Sequence, residues 1–106
     1  MRKIPSEYVD SVARGAALLD KKKPGWARKI DMNTYTELYP DTDVLGQTFG
    51  SYEEGKKALK LDVKKAGDLG FCGRVFEFYI GHEIIDLNSL WRKAINKRRK
   101  DRAYRT

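Results

Sequence analysis

Cysteine, histidine and long apolar runs are the scarce features of this sequence. Its 106 residues include one cysteine, one histidine and three prolines. The lone Cys72 excludes an intramolecular disulfide, and no paired cysteines offer a zinc site. No stretch approaches the ~18 apolar residues that a membrane span needs, and no signal-peptide pattern follows Met1. These absences predict a cytoplasmic protein, without membrane contact, that is stabilised by ordinary burial.

Charge is distributed unevenly along the chain. Residues 1–91 carry 14 basic and 14 acidic side chains, whereas residues 92–106 carry eight basic side chains and one acidic side chain, so they hold the whole net charge of +7. We call these eight the basic cluster: Arg92, Lys93, Lys97, Arg98, Arg99, Lys100, Arg102 and Arg105. A neutral body with a basic end is typical of proteins with polyanionic partners, and it argues against an acidic nucleic-acid mimic.

The first helix is indicated by apolar residues at helical spacing between about Glu7 and Lys22. Its stripe consists of Tyr8, Val9, Val12, Ala13, Ala16 and Leu19. Ser6 is predicted as the N-cap, and Pro24 with Gly25 ends the helix.

The middle of the chain combines a loop with helix signals. Residues 26–43 have no clear period, but their large apolar side chains predict a loop packed on the helices. A short helix is expected to begin near Asp43. Ser51 followed by Glu54 forms a capping-box pattern for another helix. Its inward residues are predicted to be Tyr52, Gly55, Leu59 and Val63, with Gly67 as the stop.

The segment at residues 74–86 is ambiguous because its apolar run is short and rich in aromatic and β-branched residues. Glycine at the first position of the Gly81-His82 pair favours a two-residue hairpin turn. We predict a small β-hairpin near residues 74–86, and a helix through the same residues is the alternative.

A last helix is predicted from apolar residues that again follow helical spacing. They are Leu87, Leu90, Trp91, Ala94 and Ile95. Because this stripe stops at Ile95, the helix is expected to leave the body near Asn96. The sequence thus predicts one mainly α domain of three or four helices over residues 1–95, with residues 96–106 as a basic helical extension or tail; a hairpin would make it α+β.

The basic cluster is the main candidate site. Its side chains could neutralise phosphates and release counterions, which gives salt-sensitive binding without sequence readout. Trp91 and Tyr104 are candidate stacking partners for unpaired bases. A solvated tail that aids solubility is the alternative. The run Lys21 to Lys23, with Arg28 and Lys29, could extend the basic surface, but it also suits a helix C-terminus.

Other chemistry has weaker support in the sequence. Cys72 and His82 lack the third group that orients a catalytic pair, and Glu77 and Glu83 beside one imidazole make a poor metal site. Trp26, Tyr35, Tyr39 and Phe49 could form a protein-binding aromatic patch, or simply fill the core. We therefore predict neither an enzyme nor a cofactor or metal.

Several stretches resemble a group of small uncharacterised proteins encoded by bacteriophages and prophages, chiefly of actinobacteria. The resembling stretches are Val12 to Asp20, Pro24 to Trp26, Val44 to Gln47, Phe49 to Tyr52, Gly55, Trp91 and Ile95. These 23 of the 106 residues occur in the same order as in the group. Members of the group often carry cysteine before the position of Val44, whereas residues 36–43 here have none, so no thiol chemistry is carried over. The resemblance implies a phage origin and a bacterial host cell, and it brings no activity or site residues.

Two classes of function remain open at this point. In the first, a phage accessory protein binds DNA or RNA through the basic cluster. In the second, it binds a host protein and inhibits or redirects it. A homodimer that pairs two basic helices is compatible with both.

Overall fold

The computed structural model describes residues 3–39, 41–71 and 81–104 of the chain. Within these ranges it contains helices and turns but no strand. The helices are α1 (Ser6–Lys22), a 3₁₀ segment (Trp26–Lys29), α2 (Val44–Phe49), α3 (Tyr52–Leu59), α4 (Val63–Asp68) and α5 (Gly81–Lys100). The prediction of a mainly α protein is confirmed, but the described ranges hold five α-helices instead of the three or four expected.

The β-hairpin predicted near residues 74–86 is wrong in its second half. The predicted turn at Gly81-His82 and the residues after it form the first turns of α5, while residues 72–80 lie outside the described part of the chain. The buried residues of α5 are Ile84, Asp86, Leu87, Trp91 and Ile95. A helix brings all four apolar members of this set to one face, whereas a strand would place Ile84 on the face opposite the other three.

The apolar stripe of α1 is confirmed, with Val12, Gly15, Ala16 and Leu19 buried. Ser6 is the first helical residue, and Pro5 occupies the cap position without a side-chain hydrogen bond, so the prediction of Ser6 as N-cap is wrong. The fixed φ of proline already suits the chain entering a helix. A Cβ at Gly15 would collide with the carbonyl oxygen of Leu69, so glycine allows the chain after α4 to approach α1.

The loop after α1 packs on the helices, as predicted. Trp26 and Tyr35 are each 2% exposed, and the indole Nε1 of Trp26 donates a hydrogen bond to Asp20 Oδ1 at 2.9 Å. Tyr39, by contrast, is 55% exposed. Two members of the predicted aromatic patch are therefore core residues, and no continuous patch forms from the four.

Three short helices follow, and each begins at a residue whose side chain caps the backbone. Ser51 Oγ accepts a hydrogen bond from the Glu54 backbone N–H at 3.0 Å, which confirms Ser51 as the N-cap of α3. Asp43 and Asp62 cap α2 and α4 in the same way. The helix was expected to continue to Val63, but α3 ends at the left-handed residue Lys60. Val63 consequently starts α4 and is 48% exposed.

Replacing Ser51 with alanine should lower the free energy of unfolding by about 1 kcal/mol, because the Glu54 N–H loses its acceptor at the first turn of α3. Chemical denaturation of the two proteins measures this difference. Ser51→Asp is the matched control, since aspartate also caps and should preserve stability. An alanine variant as stable as the wild type would contradict the assignment of the cap.

The centre of the core is Trp91, which is 0% exposed. Its indole Nε1 donates to the Gly70 carbonyl oxygen at 2.8 Å, and its ring stacks on Phe71 with centroids 5.3 Å apart. Trp91 also lies beside Gly15 of α1, while Arg98 near the end of α5 pairs with Asp20 near the end of α1. Helices α1 and α5 therefore run in the same direction.

Candidate nucleic-acid interface

One side of α5 is exposed to solvent over most of its length. Its residues recur every three or four positions, so they lie on one face of the helix. We call this set the basic face: Ile85, Asn88, Ser89, Arg92, Lys93, Asn96, Lys97 and Lys100. It contains four cations and no carboxylate.

Three lysines of the basic face point away from the body. Lys93, Lys97 and Lys100 are exposed, and none forms an ion pair with another residue in the described part of the chain. Their backbone positions span seven residues of helix, or about 10 Å along the axis. Their charges are thus available to an external anion.

Arg92 is held at the edge of the basic face. Its Nη2 donates to the Tyr35 carbonyl oxygen at 3.2 Å, and its guanidinium lies 5.5 Å from the centre of the Tyr35 ring. A guanidinium has five N–H donors, so this contact fixes its orientation and leaves other donors for a ligand.

Arg98 of the basic cluster faces the body instead. Its Nε and Nη2 donate to the two oxygens of Asp20 at 2.8–3.1 Å, and its guanidinium lies 5.7 Å from the Trp26 ring centre. Partial burial acts to raise the pKa of Asp20, but the hydrogen bonds from Arg98 and Trp26 and the charge of Arg98 lower the pKa below its usual value. The charge of Arg98 is therefore already compensated within the protein.

The remaining members of the basic cluster lie apart from the basic face. Arg99 Nη1 donates to the Ile30 carbonyl oxygen at 3.0 Å, and Arg102 is exposed beyond the end of α5. Arg105 lies outside the described residues. The structure thus brings together Arg92 and the three exposed lysines, but not all eight predicted residues.

The sequence predicted that the helix leaves the body near Asn96. In the structure, the residues after Asn96 stay in contact with the body. Arg28 donates from Nη1 to the Arg99 carbonyl oxygen at 3.1 Å and from Nη2 to the Asp101 carbonyl oxygen at 2.8 Å. The Tyr104 hydroxyl accepts a hydrogen bond from the Ala27 backbone N–H at 3.0 Å. Apolar periodicity gave no signal for these contacts because they are polar and join segments far apart in sequence.

The two candidate base-stacking residues lie in different environments. Trp91 is enclosed in the core, as its place on the apolar stripe predicted, so it cannot stack on an unpaired base. Tyr104 is half-buried beside Ala27, with the Arg28 guanidinium 5.4 Å from its ring centre. Arg28, one of the residues that could have extended the basic surface, instead holds the C-terminal end of α5.

A buried acidic pair was missed by the sequence analysis. Glu37 and Asp43 are both 0% exposed. Glu37 Oε2 accepts from the Val44 N–H at 3.0 Å, and Asp43 Oδ1 accepts from the Gly46 N–H at 2.6 Å. Both carboxyl groups thus bind the first turn of α2. The capping position of Asp43 was a usable signal, but nothing in the sequence marked Glu37 as buried.

The prediction that Cys72, His82, Glu77 and Glu83 form no catalytic or metal site stays a prediction. Cys72 and Glu77 lie outside the described residues, and the side chains of His82 and Glu83 do so as well. Among the described residues, no three acidic, histidine or cysteine side chains are grouped so as to hold a metal ion. No helix in the described ranges is long and apolar enough to cross a membrane.

Comparisons of the chain with protein-family models, with curated proteins and with solved structures find no match.

Proposed function

We propose that this chain is a small, non-enzymatic phage accessory protein that binds nucleic acid through the basic face of α5. The observation that carries the proposal is the alignment of Arg92, Lys93, Lys97 and Lys100 on one exposed helical face without a carboxylate. The phage origin rests on the sequence resemblance, and the binding role rests on the charge of this face.

Phosphate groups are the ligands that suit the basic face best. Lysine ammonium groups on flexible stems act as point charges that follow a phosphate backbone. Such contacts release counterions and position the protein without reading bases. We therefore expect affinity for DNA and RNA of any sequence, with a steep dependence on salt.

Contacts with the body of the protein hold α5 in place before any nucleic acid binds. Arg98 and Tyr104 hold one side of the C-terminal region on α1 and the 3₁₀ segment, while the lysines project from the other side. A helix that is already ordered pays less conformational entropy on binding than a tail that must fold first.

Replacing Lys97 and Lys100 with alanine should weaken nucleic-acid binding and lower the slope of log affinity against log salt by about 2, because two phosphate contacts are lost. Fluorescence anisotropy with a labelled duplex, titrated between about 50 and 200 mM salt, measures both quantities. Duplexes of different sequence should lose affinity equally.

The matched control removes Lys57 and Lys65, which are exposed on α3 and α4. This double variant has the same net charge as the first, so an effect of total charge alone would weaken binding in both. Equal loss in the two variants, or no binding by the wild type at low salt, would refute the proposed function.

A further inference from the structure

A groove separates α1 from α5 on the side next to the basic face. Its volume is about 460 Å³. The groove, which we call the α1–α5 groove, is lined by Val9, Val12, Ala13, Ala16, Leu90, Lys93, Ala94, Lys97 and Arg98. These residues belong to α1 and α5, the two helices that run in the same direction.

The floor of the groove is apolar and partly uncovered. Val9 is 44% exposed, Ala13 is also exposed, and Leu90 and Ala94 are half-buried. The alanine side chains are short, so a partner could approach both helix backbones closely. Covering apolar surface of this kind with a partner is favourable, because it removes that surface from water.

The edge of the groove formed by α5 is positively charged. Lys93 and Lys97 form no ion pair with another described residue, whereas Arg98 is fixed by Asp20 and serves as a rigid wall. No residue that lines the groove is acidic. A ligand that matches the α1–α5 groove therefore needs an apolar surface for the floor and negative charge for the edge.

We propose that the α1–α5 groove binds an acidic amphipathic helix of a protein partner. The apolar side of such a helix would cover Val9, Ala13 and Ala94, and its carboxylates would meet Lys93 and Lys97. Amphipathic helices bind apolar grooves between helices in this way, and complementary charge fixes their register. The inference goes beyond nucleic-acid binding, because phosphates gain nothing from an apolar floor.

Lys93 and Lys97 belong to the basic face and also to the α1–α5 groove. One protein molecule therefore cannot bind nucleic acid and the acidic helix through these two lysines at the same time. Nucleic acid and the acidic helix should therefore compete. This competition gives the two surfaces a functional link, in which an acidic partner displaces nucleic acid from α5.

The test uses a synthetic helical peptide of about 14 residues, long enough to span the roughly 12 Å between Leu90 and Arg98. Leucine and alanine occupy one face, and glutamates flank that face. One control peptide has serine in place of each leucine, and a second has lysine in place of each glutamate. Binding is measured by isothermal titration calorimetry with the whole chain.

We expect the acidic amphipathic peptide to bind and both control peptides to bind at least about tenfold more weakly, since each lacks one part of the match. Ala13→Gln fills the groove with a neutral polar group on an exposed helical position. It should weaken the peptide by about tenfold while leaving duplex affinity unchanged, because no cation is removed. Ala58→Gln, at an exposed site on α3, is the matched control.

Three outcomes would overturn the inference. They are failure of the acidic peptide to bind, equal binding of either control peptide, and unchanged binding by Ala13→Gln. Self-association of the wild type that Ala13→Gln abolishes would also overturn it, because the groove would then hold a second copy of the chain. None of these results affects the duplex measurement, so the two proposals fail separately.

Discussion

The free energy of unfolding is expected to decrease as the pH rises from about 4 towards 9, because burial and the charge of Glu37 raise the pKa of Asp43 to about 9. In the unfolded chain the same carboxyl group has a pKa near 3.8. Between these values the folded protein retains a proton that the unfolded chain has lost, so each unit of pH costs up to about 1.4 kcal/mol of stability.

The environment of Asp43 explains why it keeps the proton. Its Oδ1 accepts from the Gly46 N–H at 2.6 Å, but its Oδ2 is buried and has no hydrogen-bond partner among the described residues. A carboxylate there would be poorly solvated and would face the charge of Glu37. The stabilising contribution of the neutral form is complete below the unfolded pKa. It decreases as the pH rises between the two pKa values and is lost above the folded pKa.

Asp43→Asn removes this titration while keeping the oxygen that caps α2. The variant should be more stable than the wild type by several kcal/mol at pH 8, because a loss of up to about 1.4 kcal/mol per unit accumulates over the roughly four units above the unfolded pKa. Its stability should change little between pH 5 and 9. Urea denaturation at a series of pH values measures the effect. Asp62→Asn is the control, since Asp62 caps α4 from an exposed position and its replacement should preserve the wild-type pH dependence. A decline with pH that persists in Asp43→Asn would contradict the assignment.

A second carboxyl group acts in the opposite direction at low pH. Despite partial burial, Arg98 and Trp26 lower the pKa of Asp20, so the stability it provides is present above the unfolded pKa and disappears as the pH falls through the lower, folded value. Together, Asp20 and Asp43 place the highest stability of the wild type in mildly acidic solution, near the unfolded pKa of both groups.

The parts of the fold that followed from the sequence are those set by local signals. The stripe of α1 and the cap at Ser51 depend on residues within a few positions of each other, and both are observed. Trp91 was also expected in the core, because it continues the stripe of Leu87 and Leu90. Local patterns of this kind are the most dependable guide to helices.

The sequence predictions were wrong in two situations. Either a local pattern was compatible with two structures, or the environment of a residue depended on a partner far away in the sequence. Gly81-His82 satisfies the chemistry of a hairpin turn, yet the helical spacing of Ile84 and Leu87 extends α5 through it. Arg98 looked like one more solvent-exposed cation because its partner, Asp20, lies 78 positions away. Charge counting located the candidate site, but only the fold separates charges that are paired from charges that are free.

The two sides of α5 therefore differ in their contacts. Towards the body, Trp91, Ile95 and Arg98 anchor the helix; towards solvent, Lys93, Lys97 and Lys100 remain available. An experiment that removes the whole end of the helix would therefore change stability and charge together. The contributions are separable only by replacing residues on one side at a time.

Deletion of residues 96–106 is accordingly expected to destabilise the protein by about 3 kcal/mol, since the hydrogen bonds of Arg98, Arg99 and Tyr104 to the body are all lost. For a small domain this corresponds to a decrease in melting temperature of more than about 10 °C. Differential scanning calorimetry measures it. A truncated protein with an unchanged melting temperature would show that these contacts contribute nothing.

Two neighbouring single variants separate charge from anchoring. Arg98→Ala should lower the free energy of unfolding by about 1.5 kcal/mol, because Asp20 loses its partly buried, bidentate partner. Lys97→Ala removes the same charge from the exposed side and should change stability by less than about 0.5 kcal/mol. Nucleic-acid affinity should show the reverse order, with the larger loss in Lys97→Ala, because the charge of Arg98 is already compensated by Asp20. Equal effects of the two variants on both properties would mean that the two sides of α5 do not have separate roles.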